Sequence, residues 1–260
     1  MKLTEPRLFT KYAVEGRIAR LTLARPDKRN ALNRTMRKEV QAAFYDVETN
    51  QDIWLCIVEA EGDVFCAGKD LSEKVSADAE DGLVMDNDDL FLYQRSIYKP
   101  FIVAIDGPCL AQGAGFALSA DIVIMTETGA IGWPQVRRGI STVSGVSQGL
   151  HALPWQAGMG FLLRGKSISA QDALRFGICN EVSTRENLIA CAYSWAEEIL
   201  KNAPLAIQAV KEAGRRGLDL PLEPRMRLAR DIANRVLRTA DATEGIAAFK
   251  EKREPVWRGK

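Results

Sequence analysis

The chain reads as an α/β protein in which short apolar strands alternate with helices, followed by a stretch that is helical alone. Three observations carry that reading. Trp54–Ala60 and Phe101–Asp106 are apolar at nearly every position, as strands are when both faces of their sheet are covered. Each run ends in a glycine-rich turn, Phe65–Leu71 and Gly107–Gly115, and each turn is expected to lead into a helix. From Gln171 onward the apolar residues recur at helical spacing instead. Residues 1–200 are therefore expected to form the core and residues 201–260 a C-terminal helical region.

The elements follow in order. Gly16–Ala24 reads as a strand. Asn33–Thr49 reads as a helix whose apolar face is Met36, Val40, Ala43, Phe44 and Val47. After the two strand–turn units, a helix starts near Ala114 and Ile122–Thr126 is a further strand. Glu186–Asn202, Pro204–Arg216, Pro221–Thr239 and Ala242–Arg253 read as four helices. The one compositional break is Ser72–Asp89, with seven acidic residues against one lysine. It is either a solvated loop or short helix, or a lid beside a pocket.

Composition limits the function. A chain of 260 residues with 47% hydrophobic and 27% charged residues has the balance of a soluble globular protein with a large core. The net charge of +1, without a basic patch interleaved with aromatics, points to neither nucleic acid nor an anionic membrane as partner. No apolar stretch reaches membrane-spanning length. Met1–Pro6 has no signal-peptide core, so a cytoplasmic protein is expected. The five cysteines are odd in number and scattered, without metal-ligand pairing, and are read as reduced thiols. His151 is the single histidine, and no Ser/His/Asp or Cys/His set can be built around it.

The chemistry lies in the two turns. A sharp turn from strand to helix leaves backbone N–H groups unpaired at a positive helix end. Two such turns face to face would hold an oxygen that becomes negative during a reaction. Taken singly, each turn needs no more explanation than the tight geometry glycine permits.

The two turns resemble those of the crotonase (enoyl-CoA hydratase/isomerase) superfamily. The resemblance covers nearly the whole chain and rests on six segments in family order: Leu23–Asn33, Phe65–Leu71, Lys99–Gly107, Ser119–Ile122, Arg164–Ala173 and Glu244–Arg253. It implies a spiral of ββα units followed by helices that trimerise, with a trimer or dimer of trimers as the assembly. It also implies an acyl-CoA substrate, with coenzyme A as part of that substrate and no tightly bound cofactor or metal. The two oxyanion donors map to the backbone N–H groups of Lys69 and Gln112. Coenzyme A would lie along Arg25, Lys28, Ala31, Ala67, Asp70 and Leu71, although the basic residues also suit a plain exposed turn. The acyl pocket would be lined by Leu110, Gly113, Gly115, Phe116 and Trp133, with core packing the other reading of Trp133.

The sequence departs from the family where hydration needs two carboxylates, one as base and one as acid. The first position, in the family's "G-G-G-C-E", is Gly115. The second, in "F-G-Q-P-E", is Gln135, nearly isosteric with Glu but unable to take a proton at neutral pH. Superfamily members acting on aromatic acyl groups have a nucleophilic aspartate that maps near Ser141. Serine cannot replace a carboxylate in that displacement, so Ser141 either bonds substrate or water, or bonds nearby backbone. Two functions follow from the resemblance. One is an enzyme that holds a thioester enolate or oxyanion without the ordinary two-glutamate hydration. The other is a non-catalytic acyl-CoA-binding or assembly protein of the same fold.

Overall fold

A computed structural model describes residues 6–73 and 85–260. Its elements are β1 (Thr10–Glu15), β2 (Ile18–Leu23), α1 (Arg34–Thr49), β3 (Leu55–Ala60), α2 (Asn87–Ser96), β4 (Phe101–Ile105), β5 (Pro108–Leu110), α3 (Ala114–Ser119), β6 (Ile122–Thr126), β7 (Ala130–Gly132), α4 (Leu150–Ala152), α5 (Trp155–Arg164), β8 (Ser167–Ser169), α6 (Ala170–Arg175), β9 (Glu181–Ser183), α7 (Leu188–Leu200), α8 (Pro204–Gly217), α9 (Leu222–Val236) and α10 (Ala240–Glu251).

Among the described residues there are two sheets. The larger has the order β1-β2-β3-β4-β6-β9, antiparallel only between β1 and β2 and parallel thereafter. The smaller has the order β5-β7-β8. The apolar runs behave as doubly covered strands because side chains alternate across the pleat. Cys56, Val58, Phe101, Val103 and Ile105 face the core beneath α1, α2 and α3. Leu55, Ile57, Ile102 and Ala104 face the opposite way, onto Leu188, Ala192 and Ala196 of α7. Asn33 caps α1 by accepting from the Met36 N–H at 2.9 Å. The apolar stripe Met36, Val40, Ala43, Phe44 and Val47 is then wholly buried on the sheet.

Two expectations need correction. The region beyond Gln171 is not helical throughout: Glu181–Ser183 joins the large sheet beside β6, with Met125 opposite Val182. Three residues are too few to show a period, so only pairing with β6 reveals the strand. The first glycine turn also does not run straight into a helix. Residues 71–73 form a turn, and α2 begins at Asn87, capped by the Asp86 carboxylate through the Asp88 and Asp89 N–H groups. Most of the acidic segment read as loop or lid, residues 74–84, lies outside the described residues.

The C-terminal helices fold back on the core. Lys211 of α8 donates to Asp121 at 2.6 Å and to the Lys99 carbonyl at 2.9 Å. The Trp257 indole donates to the Lys201 carbonyl at 2.7 Å. Ile232 is covered by this chain itself, whereas Leu222, Leu237 and Phe249 stand in solvent. Of the apolar face Ile232, Val236 and Leu237, only Leu237 is thus exposed and open to a neighbouring subunit.

Candidate active site

The two turns meet. Residues 66–70 lie between residues 29–32 on one side and 108–112 on the other. Toward the first side, the Ala67 N–H donates to the Arg29 carbonyl at 3.0 Å and the Asp70 N–H to the Leu32 carbonyl at 3.1 Å. Toward the second, the Cys66 N–H donates to the Pro108 carbonyl at 3.2 Å, and Cys66 accepts from the Leu110 N–H at 2.8 Å. Leu32 and Lys69 form a parallel bridge, in which the bonds come from the residues flanking Lys69. The N–H of Lys69 itself therefore faces away from Leu32, toward the second turn.

Gln112 stands on that side. It is the middle residue of a single 3-10 turn, Ala111–Gly113, that runs into α3. Early N–H groups of such a helix have no partner within it. The approach is close: a Cβ on Gly68 would stand 3.2 Å from the Gln112 nitrogen and 2.9 Å from the Ala111 Cβ. Gly68 also has a φ of +97°, a left-handed conformation that side chains oppose. Four described non-glycine residues have positive φ, and three of them, Arg29, Asn30 and Ala111, surround these turns. Backbone strain of this kind persists where surroundings over-determine it, and it clusters at working sites. Buried Asn30 holds it here, donating to the Glu61 and Val64 carbonyls at 2.8 Å and accepting from the Arg25 N–H at 2.8 Å.

The residues assigned to coenzyme A separate into two groups. Arg25 and Asp70 are engaged with each other: the Arg25 guanidinium donates to Asp70 at 2.7 Å and to the Ala31 carbonyl at 3.0 Å, and lies over the Phe9 ring. Both are largely buried, so they clamp the first turn to residues 25–32 rather than presenting charge to a ligand. The Ser72 hydroxyl, then Arg25, hold the Asp70 carboxyl down to about 2. Lys28, Lys69 and Leu71 are exposed, and Ala31 and Ala67 partly so, along the outside of the turn.

Behind the turns the pocket is aromatic. Phe116 is buried among Phe44, Phe65 and Phe91, edge to face, with centroids 6.4, 6.0 and 4.9 Å away. Gly113 is buried with Cys66 against it, and Leu110 is half-buried. Gly115 carries no side chain for a physical reason: a Cβ there would lie 2.1 Å from the Phe91 ring. The place of the first carboxylate is thus filled by an aromatic ring from α2.

Trp133 is buried against the backbone of Gly145 and Gly149, so it packs as core, yet its indole N–H has no partner. The buried Oε1 of Gln135 and Oγ of Ser144 are likewise unpaired. These orphaned polar atoms mark residues 133–145 as a wall that a polar ligand or water would satisfy. Ser141 is exposed, and Ser144 is the buried serine of this loop. His151 is exposed and Glu127 faces solvent, outside the site. Cys66 and Cys109 are free, wholly buried thiols; burial pushes Cys66 up to about 12 and Cys109 upward as well, so neither is a nucleophile.

Sequence reasoning missed Asp88, Phe91, Gln94 and Ser144. Three of these lie on α2, along one stripe. The Asp88 carboxylate is hydrogen-bonded to the Gln112 side chain. Phe91 covers Gly115. Gln94, wholly buried, donates to the Phe116 carbonyl at 3.2 Å. The signal available in sequence was the i, i+3, i+6 spacing of these residues. Nothing in it told which other helix they met.

A parallel sheet with such paired turns at its strand ends defines a crotonase-fold protein. The model of the enoyl-CoA hydratase/isomerase family matches residues 13–260, and the chain belongs to that family, which acts on acyl-CoA thioesters. It is similar to the 2,3-dehydroadipyl-CoA hydratase of Escherichia coli K12, 30% identical over 247 residues, spanning 95% of this chain and 97% of that protein. It is 33% identical over 256 residues to the carnitinyl-CoA dehydratase of Proteus mirabilis, spanning 94% and 96%. Among solved structures, an enoyl-CoA hydratase/isomerase from Mycobacterium paratuberculosis superposes with a TM-score of 0.89 at 32% identity, covering 98% of this chain and 100% of that one. No described helix is long and apolar enough to cross a membrane.

Proposed function

We propose that this protein binds an acyl-CoA thioester and holds its carbonyl oxygen between the N–H groups of Lys69 and Gln112, stabilising the enolate or oxyanion formed in a lyase or isomerase reaction. The observation that carries this reading is the meeting of the turns, with Gly68 leaving room only for backbone beside the Gln112 nitrogen. Donors fixed in this way cost no reorganisation as charge develops, and each is typically worth about 3–4 kcal/mol in the transition state. The coenzyme A arm runs along Lys28, Ala31, Ala67 and Leu71, and the Arg25–Asp70 pair supports the turn from behind. The acyl group enters among Leu110, Phe116 and the 133–145 wall, with Gln135 and Ser144 as hydrogen-bonding groups. The 201–260 helices mediate self-association, and the chain works in the cytoplasm.

Two-glutamate hydration is not the reaction: Gly115 is backed by Phe91, and Gln135 cannot titrate. That filling of the carboxylate position also favours a second reading, a non-catalytic acyl-CoA-binding protein. Calorimetric titration with several acyl-CoAs, alongside turnover of an acyl-CoA panel followed by mass spectrometry, distinguishes the two. Binding with turnover is expected. Binding without turnover of any thioester selects the second reading, and absence of heat at millimolar ligand overturns both.

A further inference from the structure

The site proposed above has an oxyanion cradle but no proton-transfer group at either family position. Helix α2 supplies a candidate. Its Asp88, Phe91 and Gln94 share one stripe and meet the second turn and α3 in sequence: Asp88 the Gln112 side chain, Phe91 the Gly115 face, Gln94 the Phe116 carbonyl. The stripe fixes the register of α2, and its first member brings a carboxylate to the residue whose N–H forms half of the cradle.

We propose that Asp88 is the proton-transfer carboxylate of this site, delivered from the start of α2 in place of the two absent glutamates. The inference rests on the acyl-CoA reading. Asp88 is distinguished from its acidic neighbours by what each one touches. Asp86 is committed to capping α2 through the Asp88 and Asp89 N–H groups, and Asp89 faces solvent. Asp88 is half-buried and aimed at Gln112. Its surroundings favour a base near neutral pH: burial, then the charges of Asp86 and Asp89, raise its carboxyl above the ordinary range, and the Gln112 hydrogen bond partly opposes them.

The step balances without a further reactant. A carboxylate oxygen of Asp88 takes a proton from the acyl α-carbon. The C–H bond breaks, and its electron pair moves through the carbonyl carbon to the thioester oxygen, held by the Lys69 and Gln112 N–H groups. Asp88 then returns the proton to the α-carbon or to the conjugated carbon beyond it. Half-buried, the protonated Asp88 exchanges with solvent while the enolate is held.

Exchange of the α-hydrogens of butyryl-CoA in D2O reads this step without knowledge of the natural acyl group. The wild type is expected to exchange them. Asp88→Asn, nearly isosteric, is expected to slow exchange by about 10²–10⁴-fold, with the dissociation constant for butyryl-CoA changed less than about threefold and an unchanged circular dichroism spectrum. Asp88→Glu should retain part of the rate, and Asp89→Asn all of it. Exchange in Asp88→Asn within threefold of wild type overturns the assignment, as does wild-type binding of butyryl-CoA with no exchange. Failure of the wild type to bind any acyl-CoA overturns the acyl-CoA reading first, and this one with it.

Discussion

The ring of Phe91 lies 2.1 Å from the point where a Cβ on Gly115 would stand. That relationship, between one helix laid across another and a glycine beneath it, separates this site from a two-carboxylate hydratase more firmly than either residue alone. Placing Glu at 115 and at 135 does not rebuild the hydratase pair, because the first side chain has nowhere to go.

Gly115→Glu is therefore expected to destabilise the fold without raising crotonyl-CoA hydration. Overpacking typically costs about 1–3 kcal/mol, and a buried carboxylate adds to that. Phe91→Ala removes the ring and alone should cost about 3–5 kcal/mol through the cavity left behind. Combined, the two changes should cost less than their sum, since each relieves the other. Urea denaturation of the four proteins measures the coupling, and strict additivity would mean that the ring does not fill this space.

Gly68→Ala tests the cradle. The new methyl would stand 2.9 Å from the Ala111 Cβ and 3.1 Å from the Leu110 carbonyl, at a φ of +97°. It forces the turns apart and misplaces the donors. Loss of one donor typically costs about 10²–10³-fold in turnover. Turnover of a thioester by Gly68→Ala at the wild-type rate would place the cradle elsewhere.

The Arg25–Asp70 pair is expected to behave as a structural clamp. Arg25→Met leaves the largely buried Asp70 without its charged partner, and breaking such a pair typically costs about 3–5 kcal/mol. Coenzyme A affinity should fall only as far as the turn loosens. The acid behaviour follows from the lowered Asp70 carboxyl. Its folded value, about 2, lies below the unfolded value near 3.8, so its contribution is complete above about pH 4 and is lost as pH falls toward 2. Asp70→Asn should flatten the pH dependence of unfolding in that window.

Gln135→Leu separates stability from ligand binding. Its buried Oε1 has no partner, so an apolar replacement leaves stability unchanged or slightly improved. Affinity for the thioester should fall if that oxygen serves the ligand. A large loss of stability instead would show that Gln135 is a structural residue.

Light scattering at micromolar concentration is expected to give three or six times the 28.7 kDa chain mass. Phe249, 86% exposed on α10, is the largest apolar side chain that the chain leaves uncovered there. Phe249→Asp should shift the assembly toward monomer. A monomeric wild type would remove self-association from the proposal.

The sequence by itself determined the order of elements, the doubly covered strands, the α1 stripe and the pairing of glycine turns that names the family. All of these are periodic or local, and periodicity is written into the chain. It also determined that Gly115 and Gln135 carry no carboxylate. Only the tertiary structure decided what replaces them. Asp88 lies 24 positions from Gln112 in sequence, and no period connects the two. Helix α2 reaches the second turn because Phe91 packs on Gly115 and Phe116 and because Gln94 bonds to the Phe116 carbonyl. For the same reason Arg25 read as a ligand for phosphate until its distant partner Asp70 was in view, and β9 stayed invisible until β6 lay beside it. Long-range contacts depend on how elements pack in space, and the local chain does not encode which distant side chain will fill a given face.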